Sequence, residues 1–289
     1  MNSLKLVCPS EPALLERLEG RTLCVRVNSP DAIAPAAKLA RRHNQLFCVI
    51  WDCAVPIEDI QIEDTWRGIP LALMAPSAGR FRGLAGRMRA LKSLNLRVFL
   101  PSSSVNLIGA RLLSSVGIPI CVMFADEDAP DWNALADLMV YALLGMAPHA
   151  PVEPFETMAE CYRRESRSEN WGRAWFDDSS RYLHVDAQGR VAVSRRALLA
   201  QHFVADDIDA LETPAVRQAI DRCSQAWREI FADNHFCALC KGFRTCRGRF
   251  REGKSEPGGC EAFFCEAADA IERRRDRSKS RERTVTWRP

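Results

Sequence analysis

Residues 22–51 read TLCVRVNSPDAIAPAAKLARRHNQLFCVIW. Two nearly continuous apolar runs, 22–27 and 46–51, enclose a stretch (30–43) that carries Ile33, Ala37 and Leu39 at helical spacing. Short apolar runs of this kind mark strands buried on both faces. Ser29 stands where a helix is capped, and Pro30 takes the first helical position, where a missing N–H costs nothing. The stretch therefore reads as strand, helix, strand. A crossover of this length predicts parallel pairing.

The same pattern recurs on both sides. Further strands are expected at 4–7, 69–75, 96–100 and 118–124, and further helices at 12–19, 81–94, 105–116 and 132–144. Asp131 is placed to cap the last helix. The third unit is the weakest, because 57–67 has no clear apolar face. Six such units form either an open doubly wound sheet or an incomplete barrel; the expected class is α/β with a partial (β/α)6 barrel-like half. Pro148, Pro151 and Pro154 end the repeat. The expected organisation is a βα half over 1–147, a linker region over 148–180, a small cysteine-rich part over 181–270 and a basic tail over 271–289.

The cysteine-rich part opens on a hairpin, Tyr182-Leu-His-Val-Asp186 and Arg190-Val-Ala-Val193 around Gly189, followed by a helix starting at Thr213-Pro214 and running to Phe231. Then come Cys237, Cys240, Cys246, Cys260 and Cys265, five of the chain's 12 cysteines. The spacing is Cys-x2-Cys-x5-Cys-x13-Cys, with x4 to the last. A Cys-x2-Cys pair sets two sulfurs on one tight turn, and two further thiolates close a tetrahedral shell around zinc or complete the ligands of a [4Fe–4S] cluster. Spacing alone does not separate these two. Gly242, Gly248, Gly258 and Gly259 let the chain wrap closely around a centre. Cys237, Cys240, Cys246 and Cys260 are the expected ligands, with Cys265 competing for the fourth place. His235 is a minor alternative donor, and Cys223 is expected to pack on its helix.

In element order, the six βα units, the Tyr-Leu-x-Val-Asp-x-x-Gly-x-Val hairpin, the helix and the Cys-x2-Cys-x5-Cys-x-Gly stretch resemble radical SAM proteins with a C-terminal SPASM domain. That resemblance implies a partial barrel, an auxiliary iron–sulfur cluster and work in peptide or protein modification. The departures are specific. The family's Cys-x3-Cys-x2-Cys loop after the first strand is here Cys8-Pro-Ser-Glu-Pro-Ala, with one cysteine. No glycine-rich SAM segment follows the second strand. Phe250 and Ser194 stand where the family has thiols of its first auxiliary cluster, while those matching the second are kept. The resemblance thus implies a degenerate, SAM-independent member with one [4Fe–4S] cluster, or zinc in its place. It would act as partner subunit to an active radical SAM enzyme, as a peptide-substrate binder or as an electron-transfer component. A stand-alone enzyme using an open cluster site or the barrel rim, and a zinc-stabilised interaction module, are the alternatives.

Composition narrows the setting. No apolar run approaches the roughly 20 residues of a membrane span, and the first residues carry no secretory pattern. Cys24, Cys48 and Cys121 sit in apolar runs as small core hydrophobes, and no dense disulfide framework is present, so a reducing cytoplasm is expected. The formal charge is +3, yet residues 271–289 hold eight basic and three acidic side chains, a net of +5, leaving −2 for the rest. Basic character is a tail property; with Trp287 its only aromatic, the tail is not expected to bind nucleic acid and is read as solvated. The strand-end residues Asn28, Asp52, Ser102, Ser103, Asp126 and Glu127 would ring the carboxyl rim of a parallel sheet, where such folds place their sites. Asp126, Glu127, Asp128 and Asp131 form an acidic run, read as a solvated loop, and His149 is read as a structural loop histidine.

Overall fold

A computed structural model describes residues 4–124, 130–162, 171–225, 227–233, 235–246, 248 and 259–285. The strands are β1 (Lys5–Pro9), β2 (Thr22–Val27), β3 (Gln45–Asp52), β4 (Leu71–Met74), β5 (Leu96–Pro101), β6 (Ile120–Met123), β7 (Val152–Glu153), β8 (Tyr182–Val185) and β9 (Val191–Ala192). They form a nine-stranded sheet in the order β7-β6-β5-β4-β3-β2-β1-β8-β9. Every pairing is parallel except β8 with β9. The protein is therefore α/β with a mostly parallel sheet. From β1 to β7 the order is consecutive, without the reversal of a doubly wound sheet.

The helices are α1 (Pro12–Arg17), α2 (Ile33–His43), α3 (Phe81–Lys92), α4 (Ser104–Ser115), α5 (Trp132–Leu144), α6 (Phe155–Cys161), α7 (Arg195–Leu199), α8 (Pro214–Gln225), α9 (Trp227–Ala232), α10 (Phe243–Cys246) and α11 (Gly259–Val285). Asp131 caps α5, its Oδ1 accepting from the Ala134 N–H at 3.0 Å. Ser29 makes no such side-chain bond; the segment opens as one 3-10 turn over Pro30–Ala32 and then becomes α2. The weak third unit folds as two 3-10 turns, Ile57–Asp59 and Asp64–Trp66, which bury Ile57, Ile60 and Trp66 without a regular helix.

The proline stretch that closes the repeat carries β7, which extends the same sheet, and the hairpin strand β8 pairs with β1. α11 runs through Val285, well into the residues 271–289 that read as a solvated basic tail. It is held along α5 and α6: Phe263 and Phe264 pack on Trp132, Tyr162 Oη donates to Glu272, and Arg274 pairs with Glu156 at 2.8 Å. Tertiary packing thus supports a helix that its own composition would not.

Alternation gives the strands two apolar faces. Leu23, Val25 and Val27 of β2, like Val49 and Trp51 of β3 and Val98 and Leu100 of β5, join the main core with the helices. The other face carries Val7, Cys24, Cys48, Ile50, Ala72, Phe99, Cys121 and Tyr182, covered by Ala174 and Phe176. No helix among the described residues is long and apolar enough to cross a membrane.

Candidate functional site

Cys237 lies on a 3-10 turn (Phe236–Leu239) with His235 at its cap. The Cys237 N–H donates to His235 Nδ1 at 3.2 Å, so this histidine keeps only Nε2 for any other partner. Cys240 ends the turn, and its carbonyl accepts from the Phe243 N–H at 3.1 Å, starting α10. Cys246 ends α10, with its N–H bonded to the Gly242 carbonyl at 2.9 Å. Gly242 is what lets this turn meet α11: a Cβ there would stand 3.0 Å from Phe264 Cβ and 3.3 Å from the Glu261 oxygen. The Lys241 N–H reaches Glu261 Oε1 at 3.4 Å across the same seam.

Cys260 and Cys265 enter from α11. Burial, then the neighbouring Cys240 thiol, raises the Cys260 thiol above its ordinary range. Cys265 is raised by burial, by Glu261 and by Cys240, against the opposing Lys241. Cys240 is thus an electrostatic neighbour of both Cys260 and Cys265, while Cys237 and Cys246 are buried at 8% and 7% exposure. Among the described residues, however, no three Cys, His, Asp or Glu side chains converge into a group that would hold a metal ion. In kind the donors suit a thiolate-held centre; raised thiols bind metal only by releasing protons. Phe250, Gly258 and Trp287 lie outside the described residues.

Ser194, which stands where the family resembled has a thiol, caps α7 by accepting from the Ala197 N–H at 3.0 Å. Cys8 is 1% exposed in the main core, and burial pushes its thiol up to about 12. Cys223, expected to pack on its helix, is exposed on α8.

Comparison with family models, with curated proteins and with solved structures gives no match.

The carboxyl rim holds a second constellation. Of the rim residues expected from sequence, Asn28 is exposed, Ser102 is buried and Ser103 begins α4 without a side-chain cap. Asp126, Glu127 and Asp128 lie outside the described residues. Asp52 is the one at the centre of a network. Arg26 Nη1 donates to its two oxygens at 2.6 and 2.7 Å, and Arg195 Nη1 and Nη2 donate to them at 3.3 and 3.2 Å. His184, on the same sheet face, is 2% exposed. Its Nε2 lies 2.9 Å from the Phe176 carbonyl, which can only accept, so Nε2 carries the proton. Burial, opposed by that bond and reinforced by Arg26 and Arg195, holds this imidazole down at about 4, hence neutral.

Arg26, Arg195 and His184 escaped the sequence reading. The usable signal was Arg26 itself, a charge at i+2 from Cys24 inside an otherwise apolar strand. His149 stacks on Tyr141 at 4.7 Å and lines a cleft of about 390 Å³ with Glu156, Arg274 and Arg277.

Proposed function

We propose that this chain is a SAM-independent relative of radical SAM–SPASM proteins that holds one thiolate-ligated iron–sulfur cluster and serves a peptide- or protein-modifying system as partner subunit, substrate binder or electron-transfer component. In this reading residues 1–147 are a partial (β/α)6 barrel-like half, and 181–270 are the SPASM-like part. Cys237, Cys240, Cys246 and Cys260 would hold the group, with Cys265 the competing donor. When bound, such a group supplies one-electron chemistry. The protein's own residues do the positioning. Gly242 permits the close seam between α10 and α11, and Glu261 receives the Lys241 amide across it.

The observation that carries the reading is that the Cys240 thiol acts on both Cys260 and Cys265 across the seam at Gly242, from a segment twenty residues away in sequence. Cys8 is the one cysteine of its loop and lies in the main core. The test is anaerobic purification followed by a visible spectrum. A brown protein with thiolate-to-iron absorption supports the proposal; a colourless protein that holds no iron overturns it. Cytoplasmic residence, and partnership with an enzyme that itself carries Cys-x3-Cys-x2-Cys, belong to the same proposal.

A zinc-stabilised interaction module is the second reading. It is favoured by the core-like tightness at Gly242, where a closed structural ion would clamp α10 to α11. One zinc per chain and no iron would select it.

A further inference from the structure

We propose that Arg26 and Arg195 form a carboxylate-binding subsite, one that takes a carboxylate carried on an apolar or aromatic body such as a peptide C-terminus. The proposal does not rest on the thiolate centre. Three separate elements meet here: Arg26 near the end of β2, Asp52 at the end of β3, and Arg195 at the start of α7. Parallel α/β folds bind ligands beyond the carboxyl ends of their strands.

The charges do not balance. Two guanidinium groups share the single carboxylate of Asp52, and His184 behind them is neutral. The remaining ionisable neighbours that act on Arg26 and His184 are the Cys48 thiol and the two arginines on one another. Among the described residues, a net positive charge is therefore held at a place where the Arg26 side chain is only 17% exposed. Burial disfavours that charge, and the second arginine disfavours it further. An incoming anion completes the set.

The two arginines differ in a way that fits binding. Arg26 grips Asp52 at 2.6–2.7 Å, whereas Arg195 is 46% exposed and sits at 3.2–3.3 Å. Arg26 orients the carboxylate, and Arg195 is the looser cation that turns a bidentate face to the ligand. Beside them, on the neighbouring strand of the same sheet face, lies Met74, in register with Asp52 and partly buried. Methionine accepts apolar bodies of varied shape, so the anionic head meets the arginines and the apolar body meets the Met74 thioether.

The experiment is calorimetric titration of the purified full chain with N-acetylphenylalanine and, separately, with its carboxamide. The acid is expected to bind at least about tenfold more tightly, the range of a charge-assisted hydrogen-bond pair. Arg195→Gln is expected to abolish that preference while melting at the wild-type temperature, and Asp52→Asn to strengthen acid binding by freeing both guanidinium groups. Binding of neither compound, equal binding of both, or a preference that survives Arg195→Gln overturns the proposal. Metal content measured on the same sample keeps this outcome separate from that of the thiolate centre.

Discussion

A Cβ at Gly242 would stand 3.0 Å from the Phe264 Cβ and 3.6 Å from the Cys240 sulfur, so this glycine sets how closely the cysteine turn approaches α11. Gly242→Val is expected to cost about 1–3 kcal/mol through overpacking and to weaken metal uptake, because it moves Cys240 away from Cys260. Urea denaturation and bound-metal counts on the purified variant check both effects. Unchanged stability would show that the seam relaxes freely.

The fourth ligand is decided by single substitutions. After burial, the Cys260 thiol is raised chiefly by the Cys240 thiol, whereas Cys265 is raised first by Glu261. Cys260→Ser is therefore expected to lose most of the bound metal and Cys265→Ser to keep it, as read by metal counts on each variant. The reverse result exchanges their roles.

His184 makes stability depend on pH. Its pKa falls from 6.5 in the unfolded chain to about 4 in the folded protein, so between these values the unfolded state binds more protons. Its contribution is fully present above pH 6.5 and is lost as pH falls toward 4, amounting to about 3 kcal/mol over that window. His184→Gln, which keeps a donor for the Phe176 carbonyl, is expected to flatten the stability profile between those pH values. Denaturant midpoints measured across the window decide it; an unchanged slope contradicts the assignment.

Asn106 staples the loop after β4 to α4. It is 3% exposed; its Oδ1 accepts from the Ala78 N–H at 3.0 Å, and its Nδ2 donates to the Pro76 carbonyl at 3.2 Å. Asn106→Ala leaves a buried amide without a partner, and a loss of about 1–3 kcal/mol is expected, measured by denaturation. Asn106→Asp keeps an acceptor for Ala78 but sets a buried carboxylate oxygen against the Pro76 carbonyl, so it is expected to cost at least as much as Asn106→Ala.

The strands of the repeating half were readable because each is a run of apolar residues between turn signals; 22–27 matches β2 at both ends. α5 was equally plain, since Asp131 caps it and its first and last residues fall where the apolar spacing begins and stops. β7 was not, because two residues carry no periodicity and prolines flank them. The length of α11 was hidden for a different reason: residues 276–285 carry almost no apolar pattern, and the donation from Arg277 to the Leu144 carbonyl is tertiary. At the sites, the cysteines announced themselves by spacing. Asp52 was visible as a strand-end carboxylate, but its arginines come from residues 26 and 195 and only folding brings them together. Ser194 shows how a residue read as a missing thiol is also a helix cap.

The central claim is that the C-terminal cysteines hold an iron–sulfur cluster. Its most direct test is the count of iron, acid-labile sulfide and zinc per chain after anaerobic purification, alongside the Cys240→Ser variant. About four iron and about four sulfide per chain, falling sharply in Cys240→Ser, is the predicted result. One zinc with no iron or sulfide, or no metal at all, would contradict it.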